Sequence, residues 1–372
     1  MITLQLGMTA AKTRGGGVDR YYFSLLRELP ELGVGVRGLV VGDPAVTAAS
    51  DGVSVFAPEG AGMLRRWSAL RGAVADVGRT DLTVSHFAPY AFPVLDRVRN
   101  RPLVVHFHGP WALESAVEGA GRMAVAAKRA LEHVVYRRAA RFIVLSRAFA
   151  TILSSEYGVR EDRIRIVPGG VDVARFRGVG SRADARRALG WEVDRPTVVT
   201  VRRLVHAKGL ENLIDATQQV RAAVPDVQVV IVGTGPLAAD LQRRVRELGL
   251  EQTVRFAGYV SEDDLPSVYR AADLFVVPTI ALEGFGLVVV EALACGTPVL
   301  VTPIAGLPEV VRDLDPSLIL SGTSPREIAS GVTGALTGTH VMPSEEACIA
   351  YAGRFDWPAI AARVRDVYRE VA

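Results

Sequence analysis

Residues 281–311 read ALEGFGLVVVEALACGTPVLVTPIAGLPEVV. Glu283 and Glu291 lie eight positions apart, and a Gly-Phe-Gly turn follows the first of them. An apolar helical run, a Cys-Gly-Thr-Pro stop and the short strand Val299–Thr302 come next. The glycines allow the backbone to approach a ligand closely, and the N–H groups that begin a helix favour an anion. The stretch therefore predicts an anion site at a helix N-terminus.

Short apolar segments rich in Val, Ile and Leu alternate with helical segments along the whole chain. Such segments, ended by Gly or Pro, are typical of buried parallel strands. At 372 residues the chain is too long for one core. We therefore expect an α/β protein with two Rossmann-like, doubly wound domains that face each other across a cleft, in which ligands bind beyond the carboxyl ends of the strands.

The mixed, charged segment 174–196 predicts a linker between these domains. We assign residues 1–176 to the first domain and residues 177–355 to the second. The last helix is amphipathic and follows Phe355-Asp356-Trp357-Pro358, a turn that can redirect the chain. Residues 356–372 are therefore expected to cross back to the first domain.

Charge is distributed unevenly along the chain, although the net charge is only +3. Residues 1–178 contain 24 basic and 16 acidic side chains, and the remainder contains 19 and 24, which gives +8 and −5. A basic first half suits an acidic substrate or an anionic membrane surface, and solvated Arg-rich helix faces explain it equally well. The basic helix predicted at Ala61–Gly78 has the same two interpretations, membrane contact or packing on a sheet.

No segment reaches the length of a membrane span, and the first residues, MITLQLGM, have no charged region before their apolar run. The N-terminus is therefore predicted to be a strand and not a signal peptide, which favours a cytoplasmic protein. Cys295 and Cys348 are predicted to be free thiols, because disulfides are rare without an export signal.

A glycine-rich loop, Arg14-Gly15-Gly16-Gly17, joins the strand predicted at Ile2–Met8 to the helix predicted at Val18–Leu29. Three glycines at a strand-to-helix turn allow a ligand to approach the backbone, and the helix N-terminus favours negative charge. The loop lacks the G-x-G-x-x-G spacing of the dinucleotide fingerprint. A flexible turn without a ligand remains the alternative.

His108 follows the strand predicted at Leu103–Phe107 and precedes Gly-Pro. Open α/β sheets place their ligand groups at this position, and an imidazole can bind a sugar hydroxyl or handle a proton near neutral pH. His106 lies on the same side of the strand, so one of the two is a candidate core or supporting residue. His86, at the end of another strand, is a weaker candidate of the same kind.

The predicted strand ends bring two cations, Arg203 and Lys208, to the same region as Glu283 and Glu291. Two cations and two helix N-termini are suited to a diphosphate leaving group, whose charge grows as the bond to the phosphate oxygen breaks. No D-x-D pair lies at a strand end, so the cations are expected to do the work of a metal ion. Neither a metal nor a cofactor is predicted.

Several motifs together resemble the retaining, nucleotide-sugar-dependent glycosyltransferases of family 4 (GT4, group 1), which have the GT-B fold. They are RLVHAKG at 203–209, GTGP at 233–236, FAGYV at 256–260 and EGFGLVVVEALACGTPV at 283–299. In the first half the resemblance rests on the glycine loop, on His108-Gly109 and on RIRIVPGGVD at 163–172. It covers nearly the whole chain.

The resemblance implies a role for each matching position in donor binding. Arg203 and Lys208 would bind the donor diphosphate, and Glu291 would hold the ribose hydroxyls. Glu283 would contact the transferred sugar near its reacting carbon, and His108 would bind that sugar. The remaining implied contacts with the donor are Gly16, Gly17, Gly233, Tyr259, Val260 and the backbone around Phe285, Gly286 and Leu287. Glu283, His108, Arg203 and Lys208 form the implied catalytic set.

Two departures from the family pattern affect the site. Position 202 is Arg where the family often has Gly, so Arg202 competes with Arg203 for the phosphate role. Residues 303–306 read Pro-Ile-Ala-Gly where many members have adjacent glycines, which alters the loop expected to face the donor sugar.

The implied function is transfer of a hexose-type sugar from a UDP- or GDP-sugar to a hydroxyl of a glycan, a lipid or a small natural product. The implied mechanism retains the anomeric configuration by front-face attack, without a required metal. Peripheral membrane contact is an open possibility, and no nucleic-acid partner is expected. The alternatives are a GT-B-like nucleotide-sugar epimerase and an inactive sugar-nucleotide-binding subunit.

Overall fold

Two parallel β-sheets organise the protein, and each lies in its own compact unit. The computed structural model describes residues 1–10, 16–43, 45, 52–178 and 180–372. The first unit comprises Met1–Gly170 together with Trp357–Ala372, and the second comprises Val171–Asp356. The expected α/β class with two Rossmann-like sheets is confirmed.

The first unit is built on a sheet in which seven described strands are all paired in parallel. The strands are β1 (Ile2–Ala10), β2 (Gly35–Gly42), β3 (Val53–Ala57), β4 (Leu82–Ser85), β5 (Leu103–Phe107), β6 (Arg141–Val144) and β7 (Ile164–Ile166). Their order is β3-β2-β1-β4-β5-β6-β7, so the winding reverses between β1 and β4.

Helices connect these strands because parallel neighbours need a crossover. They are α1 (Gly17–Glu28), α2 (Met63–Asp76), α3 (Ala88–Ala91), α4 (Trp111–Val117), α5 (Arg122–Arg138) and α6 (Arg147–Tyr157), with 3₁₀ turns at Pro30–Leu32, Phe92–Val94 and Glu161–Arg163. Helix α2 buries Leu70 and Val74, in a core that includes Leu4 and Leu6 of β1. The packing interpretation of this basic helix is thus confirmed for its inner face, while Leu64 is 79% exposed.

The second unit contains a smaller parallel sheet, whose described strands are β8 (Thr197–Val201), β9 (Gln228–Val232), β10 (Val254–Gly258), β11 (Leu274–Val277) and β12 (Val299–Val301). Their order is β10-β9-β8-β11-β12, and the winding reverses between β8 and β11. The helices are α7 (Val173–Arg177), α8 (Arg182–Ala188), α9 (Leu210–Ala223), α10 (Ala238–Glu247), α11 (Leu265–Arg270), α12 (Leu287–Ala294), α13 (Leu307–Val311), α14 (Pro325–Thr337) and α15 (Glu345–Ala352), with 3₁₀ turns at His206–Lys208, Pro316–Leu318 and Gly353–Phe355.

The C-terminal helix α16 (Trp357–Arg369) belongs to the first unit. Its first residue, Trp357, packs edge-on against Tyr21 of α1, at 5.3 Å between ring centroids. A side chain at Gly170 would collide with the same indole, since a Cβ there would lie 2.4 Å from Trp357 Cδ2. Beyond the other end of the helix, the carboxylate of Glu370 accepts hydrogen bonds from Arg141 and Arg165.

The segment 174–196, predicted to link the two domains, lies within the second unit and contains the helix α8. Ser181 and Asp184 form a capping box at its start, a signal that the sequence contains as S-x-x-D. Arg186, only 3% exposed, donates to the backbone oxygen of Ala271 at 2.8 Å and to Asp273 at 2.6 Å. This segment therefore packs into the second unit.

Both cysteines are free thiols, as predicted, and both are buried. Burial raises the pKa of the Cys348 thiol to about 12, so it is unionised at neutral pH. Within the described part of the chain, every helix is too short or too polar to cross a lipid bilayer.

Gly209 joins the 3₁₀ turn at His206–Lys208 to α9. Substitution of this glycine measures how tightly the loops after the strands are packed. Its φ is +66°, and a Cβ would lie 2.0 Å from the backbone oxygen of Pro278. Gly249 has a similar φ of +61° with nothing within 4 Å of a Cβ. We expect G249A to lower the free energy of unfolding by about 1 kcal/mol through the left-handed backbone alone.

G209A should cost at least about 2 kcal/mol more than G249A, because the added methyl group also overlaps a fixed carbonyl. Denaturant unfolding followed by circular dichroism measures both variants. Equal losses of stability in G209A and G249A would show that the backbone at Pro278 can move away from the added methyl group.

Candidate functional site

A buried carboxylate, that of Glu283, lies between two cations in the second unit. Its Oε2 atom accepts a hydrogen bond from Lys208 Nζ at 3.0 Å and another from Arg202 Nη2. The side chains are 14% exposed for Glu283, 17% for Lys208 and 5% for Arg202. Two cations and one carboxylate leave this cluster with a net positive charge.

The topology of the sheet explains why these three side chains meet. Arg202 directly follows β8, and Lys208 lies in the 3₁₀ turn beyond it. Thr279, two residues after β11, accepts a hydrogen bond from Arg202, and Glu283 follows four residues later. Strands β8 and β11 are neighbours at the reversal of winding, the position where open α/β sheets bind ligands.

The charge state of Glu283 is set by its partners. Burial alone would raise the pKa of the carboxyl, but Lys208 and then Arg202 outweigh it and hold the pKa at about 2. Glu283 is therefore an anion at neutral pH, and it orients both cations. Arg202 Nε is buried without a hydrogen-bond partner among the described residues, which leaves a donor for water or a ligand oxygen.

The adjacent arginines Arg202 and Arg203 differ in their exposure. Arg202, the residue that departs from the family pattern, points inward to Glu283, whereas Arg203 is exposed at the surface. The motif alone does not show which of these two arginines points inward. The inward position of Arg202 is signalled in the sequence only by its place directly after the buried strand.

Helix α12 begins beside this cluster. Gly286 caps it with a φ of +82°, and a Cβ there would lie 2.7 Å from Leu307 Cδ2. The amides of Leu287 and its neighbours begin the helix, where N–H groups lack intrahelical acceptors. The side chain of Phe285 is only 4% exposed and packs against Phe355, so its backbone and not its ring is available to a ligand.

Glu291 lies within α12 and is 5% exposed. Tyr269 donates a hydrogen bond from its hydroxyl to Glu291 Oε2 at 2.6 Å. This bond fixes the orientation of the Glu291 carboxylate.

Two residues near Glu283, one before it in sequence and one in the loop 303–306, have a strained backbone. Leu282 and Ala305 are the described non-glycine residues with positive φ, at +49° and +48°. The amide of Gly306 donates to the backbone oxygen of Glu283 at 2.9 Å, which ties the loop 303–306 to the cluster. Such strain is concentrated at functional sites, where the surrounding structure holds it in place.

The remaining predicted donor contacts in the second unit lie at other strand ends. Gly233 follows β9 with a φ of +131°, and a Cβ would lie 1.9 Å from the backbone oxygen of Arg202. Its lack of a side chain is thus required by the packing of the loop that carries Arg202. Tyr259, directly after β10, is 45% exposed, and Val260 is partly exposed, so both are accessible.

In the first unit, part of the glycine loop lies outside the described residues, namely Arg14 and Gly15. Gly16 caps α1, and its amide donates to Asp19 Oδ2 at 3.0 Å. The other oxygen of Asp19 accepts from the amide of Thr9 at 3.1 Å. A protein carboxylate therefore already satisfies the Gly16 amide, while Gly17 is exposed at the first residue of the helix.

Three histidines form one cluster at the carboxyl ends of β4 and β5. His86 Nδ1 lies 3.1 Å from His108 Nε2, and the imidazoles of His86 and His106 stack at 4.3 Å between centroids. His106 Nδ1 lies 3.2 Å from the hydroxyl of Tyr21, and its Nε2 lies 2.8 Å from that of Tyr368 in α16. The sequence indicated His108 and, more weakly, the other two, but it gave no sign of either tyrosine.

All three imidazoles are uncharged at neutral pH. Burial lowers the pKa of His86 and of His106 well below the usual value, and neighbouring imidazoles lower both further. Burial also lowers the pKa of His108, to about 3. The cluster can therefore bind and orient polar groups without adding a positive charge.

Among the described residues, these three histidines form a group whose spacing could accommodate a metal ion. Their ligand nitrogens lie within 4.8 Å of one another. Their hydrogen bonds argue against that use. Both nitrogens of His106 face tyrosine hydroxyls, and His86 and His108 face each other in nearly parallel planes, 17° apart. A metal ion would need these lone pairs to converge on one point, which requires the rings to turn.

The Glu283 cluster makes stability depend on acid pH. Because the folded pKa of Glu283 is depressed, its contribution is complete above the unfolded value of about 4.3 and is lost as the pH falls towards 2. We expect E283Q to lower the free energy of unfolding by about 3 kcal/mol at pH 7 and by less than half of that at pH 3. Urea unfolding at both pH values measures the difference.

The control for this prediction is E247Q, at a carboxylate whose side chain is 61% exposed. Its effect should be small at both pH values. A loss in E283Q that is the same at pH 7 and pH 3 would show that Glu283 is not ionised between its two cations.

Two family models together match nearly the whole chain. The model described as Glycosyltransferase Family 4 matches residues 15–175, and the model described as Glycosyl transferases group 1 matches residues 181–355. The first therefore matches the unit with the histidine cluster, and the second matches the unit with the Glu283 cluster.

Relatives with curated names agree with this assignment. The D-inositol 3-phosphate glycosyltransferase of Acidothermus cellulolyticus is 31% identical over 96% of this chain and 82% of its own length. The D-inositol 3-phosphate glycosyltransferase 2 of Catenulispora acidiphila is 35% identical over 64% of this chain, a match that spans 57% of that relative.

Among solved structures, the Anabaena protein Alr3699/HepE in complex with UDP and glucose superposes with a TM-score of 0.81. It is 24% identical and the match covers both chains completely, which establishes the fold. The chain belongs to the group 1 glycosyltransferases of family 4 and has their GT-B fold.

Proposed function

We propose that this protein is a retaining glycosyltransferase that moves a sugar from a nucleoside diphosphate sugar to an acceptor hydroxyl. The observation that carries the proposal is the cluster of Glu283, Lys208 and Arg202 at the reversal of winding in the second sheet, beside the N-terminus of α12. Two fixed cations and a helix N-terminus are suited to a diphosphate, in which charge develops as the sugar leaves.

The second unit is the proposed donor-binding domain. Lys208 and Arg203 are proposed to neutralise the diphosphate, together with the amides around Phe285, Gly286 and Leu287. Glu291 is proposed to accept hydrogen bonds from the ribose. These side chains lie on rigid elements or on the turns directly after strands, which supports preorganised binding.

Further donor contacts are proposed for residues at the other strand ends. Tyr259 and Val260 are proposed to border the base, while Gly233 acts through the loop that carries Arg202. Glu283 is proposed to contact the transferred sugar through Oε1, since Oε2 is held by Lys208 and Arg202. Arg202 orients Glu283, and the exposed Arg203 is proposed as a further cation for the diphosphate.

The proposed reaction breaks the bond between the anomeric carbon and the phosphate oxygen. The acceptor oxygen attacks the same face of the sugar, and the acceptor's proton passes to the departing phosphate oxygen, so that configuration is retained. The cations stabilise the charge on that phosphate, and no metal is required in this scheme. His108 and the backbone of Gly16 and Gly17 are proposed to contact the sugar and the acceptor from the first unit.

A panel of donors and acceptors tests the proposal directly. The curated relatives are named for D-inositol 3-phosphate and the Anabaena neighbour was solved with UDP and glucose, so UDP-glucose and inositol 3-phosphate enter the panel first. Other UDP- and GDP-hexoses, glycans, lipids and small natural products complete it. Nucleotide release and the anomeric configuration of the product are measured, and inversion would contradict the proposal.

Two alternatives are distinguished by the same assay. Incorporation of deuterium into a nucleotide sugar without an acceptor would indicate an epimerase. Nucleotide-sugar binding without turnover, with every acceptor of the panel, would indicate an inactive binding subunit.

Lys208 provides the sharpest variant for the proposed chemistry. We expect K208A to lower kcat by about a hundredfold to a thousandfold, because one charge is lost beside the departing phosphate. The control is R243A, which removes a cation whose side chain is 58% exposed and forms surface ion pairs within α10. Initial rates of nucleotide release measure both, and an unchanged rate in K208A would contradict the proposed role of the cluster.

Contact with an anionic lipid surface is a second proposal, which concerns the first unit. Leu64 is 79% exposed and Met123 is 88% exposed, in the first turns of α2 and α5. Each is next to an exposed arginine, Arg65 and Arg122 respectively. Apolar side chains beside basic ones are typical of proteins that bind membrane surfaces.

We expect the protein to sediment with vesicles that contain an anionic lipid and to be released by salt, which screens charge. Vesicles of neutral lipid alone should bind much less. The double variant L64S/M123S should reduce binding to the anionic vesicles without lowering thermal stability, since both side chains are exposed. Equal sedimentation of the wild type with both kinds of vesicle would contradict this proposal.

A further inference from the structure

A chain of hydrogen bonds runs from His108 into the core of the first unit and ends on a backbone carbonyl. His108 Nε2 lies 3.1 Å from His86 Nδ1, and His86 Nε2 lies 3.2 Å from Gln5 Oε1. Gln5 Nε2 lies 3.0 Å from Thr3 Oγ1, which donates to the backbone oxygen of Gly35 at 3.1 Å. Thr3 and Gln5 are fully buried and His86 is 2% exposed.

The carbonyl at the inner end fixes the direction of every bond in this chain. A carbonyl can only accept, so the single hydroxyl hydrogen of Thr3 is committed to Gly35, and Thr3 Oγ1 must accept from Gln5. The side-chain NH₂ group of Gln5 therefore faces Thr3. Its oxygen consequently faces His86 and accepts a hydrogen bond from His86 Nε2.

The directions of the hydrogen bonds made by the two imidazoles follow from that of Gln5. A neutral His86 that donates from Nε2 carries a lone pair on Nδ1, so it accepts from His108 Nε2. His108, when neutral, then has its lone pair on Nδ1. The low pKa values of both imidazoles, caused chiefly by burial, keep them neutral at physiological pH.

The packing around His108 holds its ring in this orientation. The ring of Tyr21 lies edge-on to His108 at 4.9 Å between centroids, and it also contacts His86 and His106. No described residue is hydrogen-bonded to His108 Nδ1, and His108 remains partly exposed. This nitrogen is thus an acceptor at the carboxyl edge of the sheet.

We infer that Thr3, Gln5 and His86 are positioning residues that hold His108 as the tautomer with an unprotonated Nδ1, so that His108 accepts a hydrogen bond from a substrate hydroxyl. The role towards substrate rests on the proposed function. The tautomer itself does not, since it follows from the hydrogen-bond chain. Because all four bonds donate in one direction, each polarises the next, and His108 Nδ1 becomes a stronger acceptor.

An unprotonated Nδ1 restricts the ligand chemistry at His108. A hydroxyl can donate to Nδ1, whereas a fluorine or a methoxy group at the same position cannot. The site should therefore reject a sugar or acceptor in which the contacted hydroxyl is replaced by either group, even though each can still accept a hydrogen bond. An imidazole of the other tautomer would tolerate both.

Nitrogen-15 NMR of the full-length protein, labelled at histidine, tests the tautomer without any substrate. Protonated and unprotonated ring nitrogens have well-separated chemical shifts, and the six histidines can be assigned from single His-to-Asn variants. At pH 7 we expect Nε2 of both His86 and His108 to be protonated. Protonation of His108 at Nδ1 in the wild type would overturn the inference.

A substitution at Gln5 and a matched control test the positioning role. Q5M keeps the length of the side chain but removes the acceptor, so His86 is free to donate from Nδ1 and His108 should gain the Nδ1-protonated form. Q218M, at an exposed glutamine of α9, is the control, and His108 should retain the wild-type tautomer in it. An unchanged tautomer in Q5M would overturn the role of Gln5. If Q5M does not fold, T3V gives the second test, because it frees the amide to turn and should give a mixture of tautomers.

The substrate role is measured separately, with the donor and acceptor found in the panel. Q5M should lower kcat/KM by about tenfold, the effect of one lost hydrogen bond, and Q218M should leave it unchanged. A wild-type kcat/KM in Q5M with an inverted tautomer would overturn the role of His108 as an acceptor. The expected tautomer in a protein that transfers no sugar would instead contradict only the proposed function.

Discussion

A parallel sheet brings the carboxyl ends of all its strands to one edge, and this constraint determines where the protein can place its polar side chains. In each unit the residues of the side-chain cluster follow strands at or next to the reversal of winding, which lies between β8 and β11 in the second unit and between β1 and β4 in the first. Arg202 follows β8 and Thr279 follows β11, while His86 follows β4 and His108 follows β5. The crossover helices leave a depression at such a reversal, so side chains from distant parts of the sequence converge there.

The two clusters differ in charge, although both lie at the carboxyl ends of strands in a parallel sheet. In the second unit the Glu283 carboxylate is largely buried, and the charges of Lys208 and Arg202 outweigh the cost of burying it. In the first unit three imidazoles are buried side by side without an anion, and they remain neutral. One site is therefore prepared for a charged ligand, and the other for a neutral, hydrogen-bonding one.

Much of the fold was predictable because its signals are local. Short Val- and Ile-rich runs predicted the strands, and the glycines at 209, 233 and 286 marked loops in which a Cβ would collide. The charge of residues 174–196 predicted a linker, whereas the capping box at Ser181 is the local signal for the helix α8. Motifs located Lys208 and Glu283, since their spacing reflects the turns that follow β8 and β11.

The rest of the site could not be predicted, because it depends on contacts between distant residues. The inward direction of Arg202 is set by Thr279 and Glu283, which lie on another strand end. The hydrogen bonds of His86 require β4 to lie beside β1, which no local pattern encodes. Tyr368 reaches His106 only because the last helix returns to the first unit.

That return of the last helix has a consequence for biosynthesis. The second unit is continuous in sequence, from Val171 to Asp356, whereas the first is interrupted by it. On the ribosome, all residues of the second unit emerge before Trp357 and Tyr368, and domains generally fold as units during synthesis. The first unit, although its strands are made first, must wait with Tyr21 and His106 uncovered until Trp357 and Tyr368 have emerged. Of the two units, the one whose strands are made first is therefore completed second.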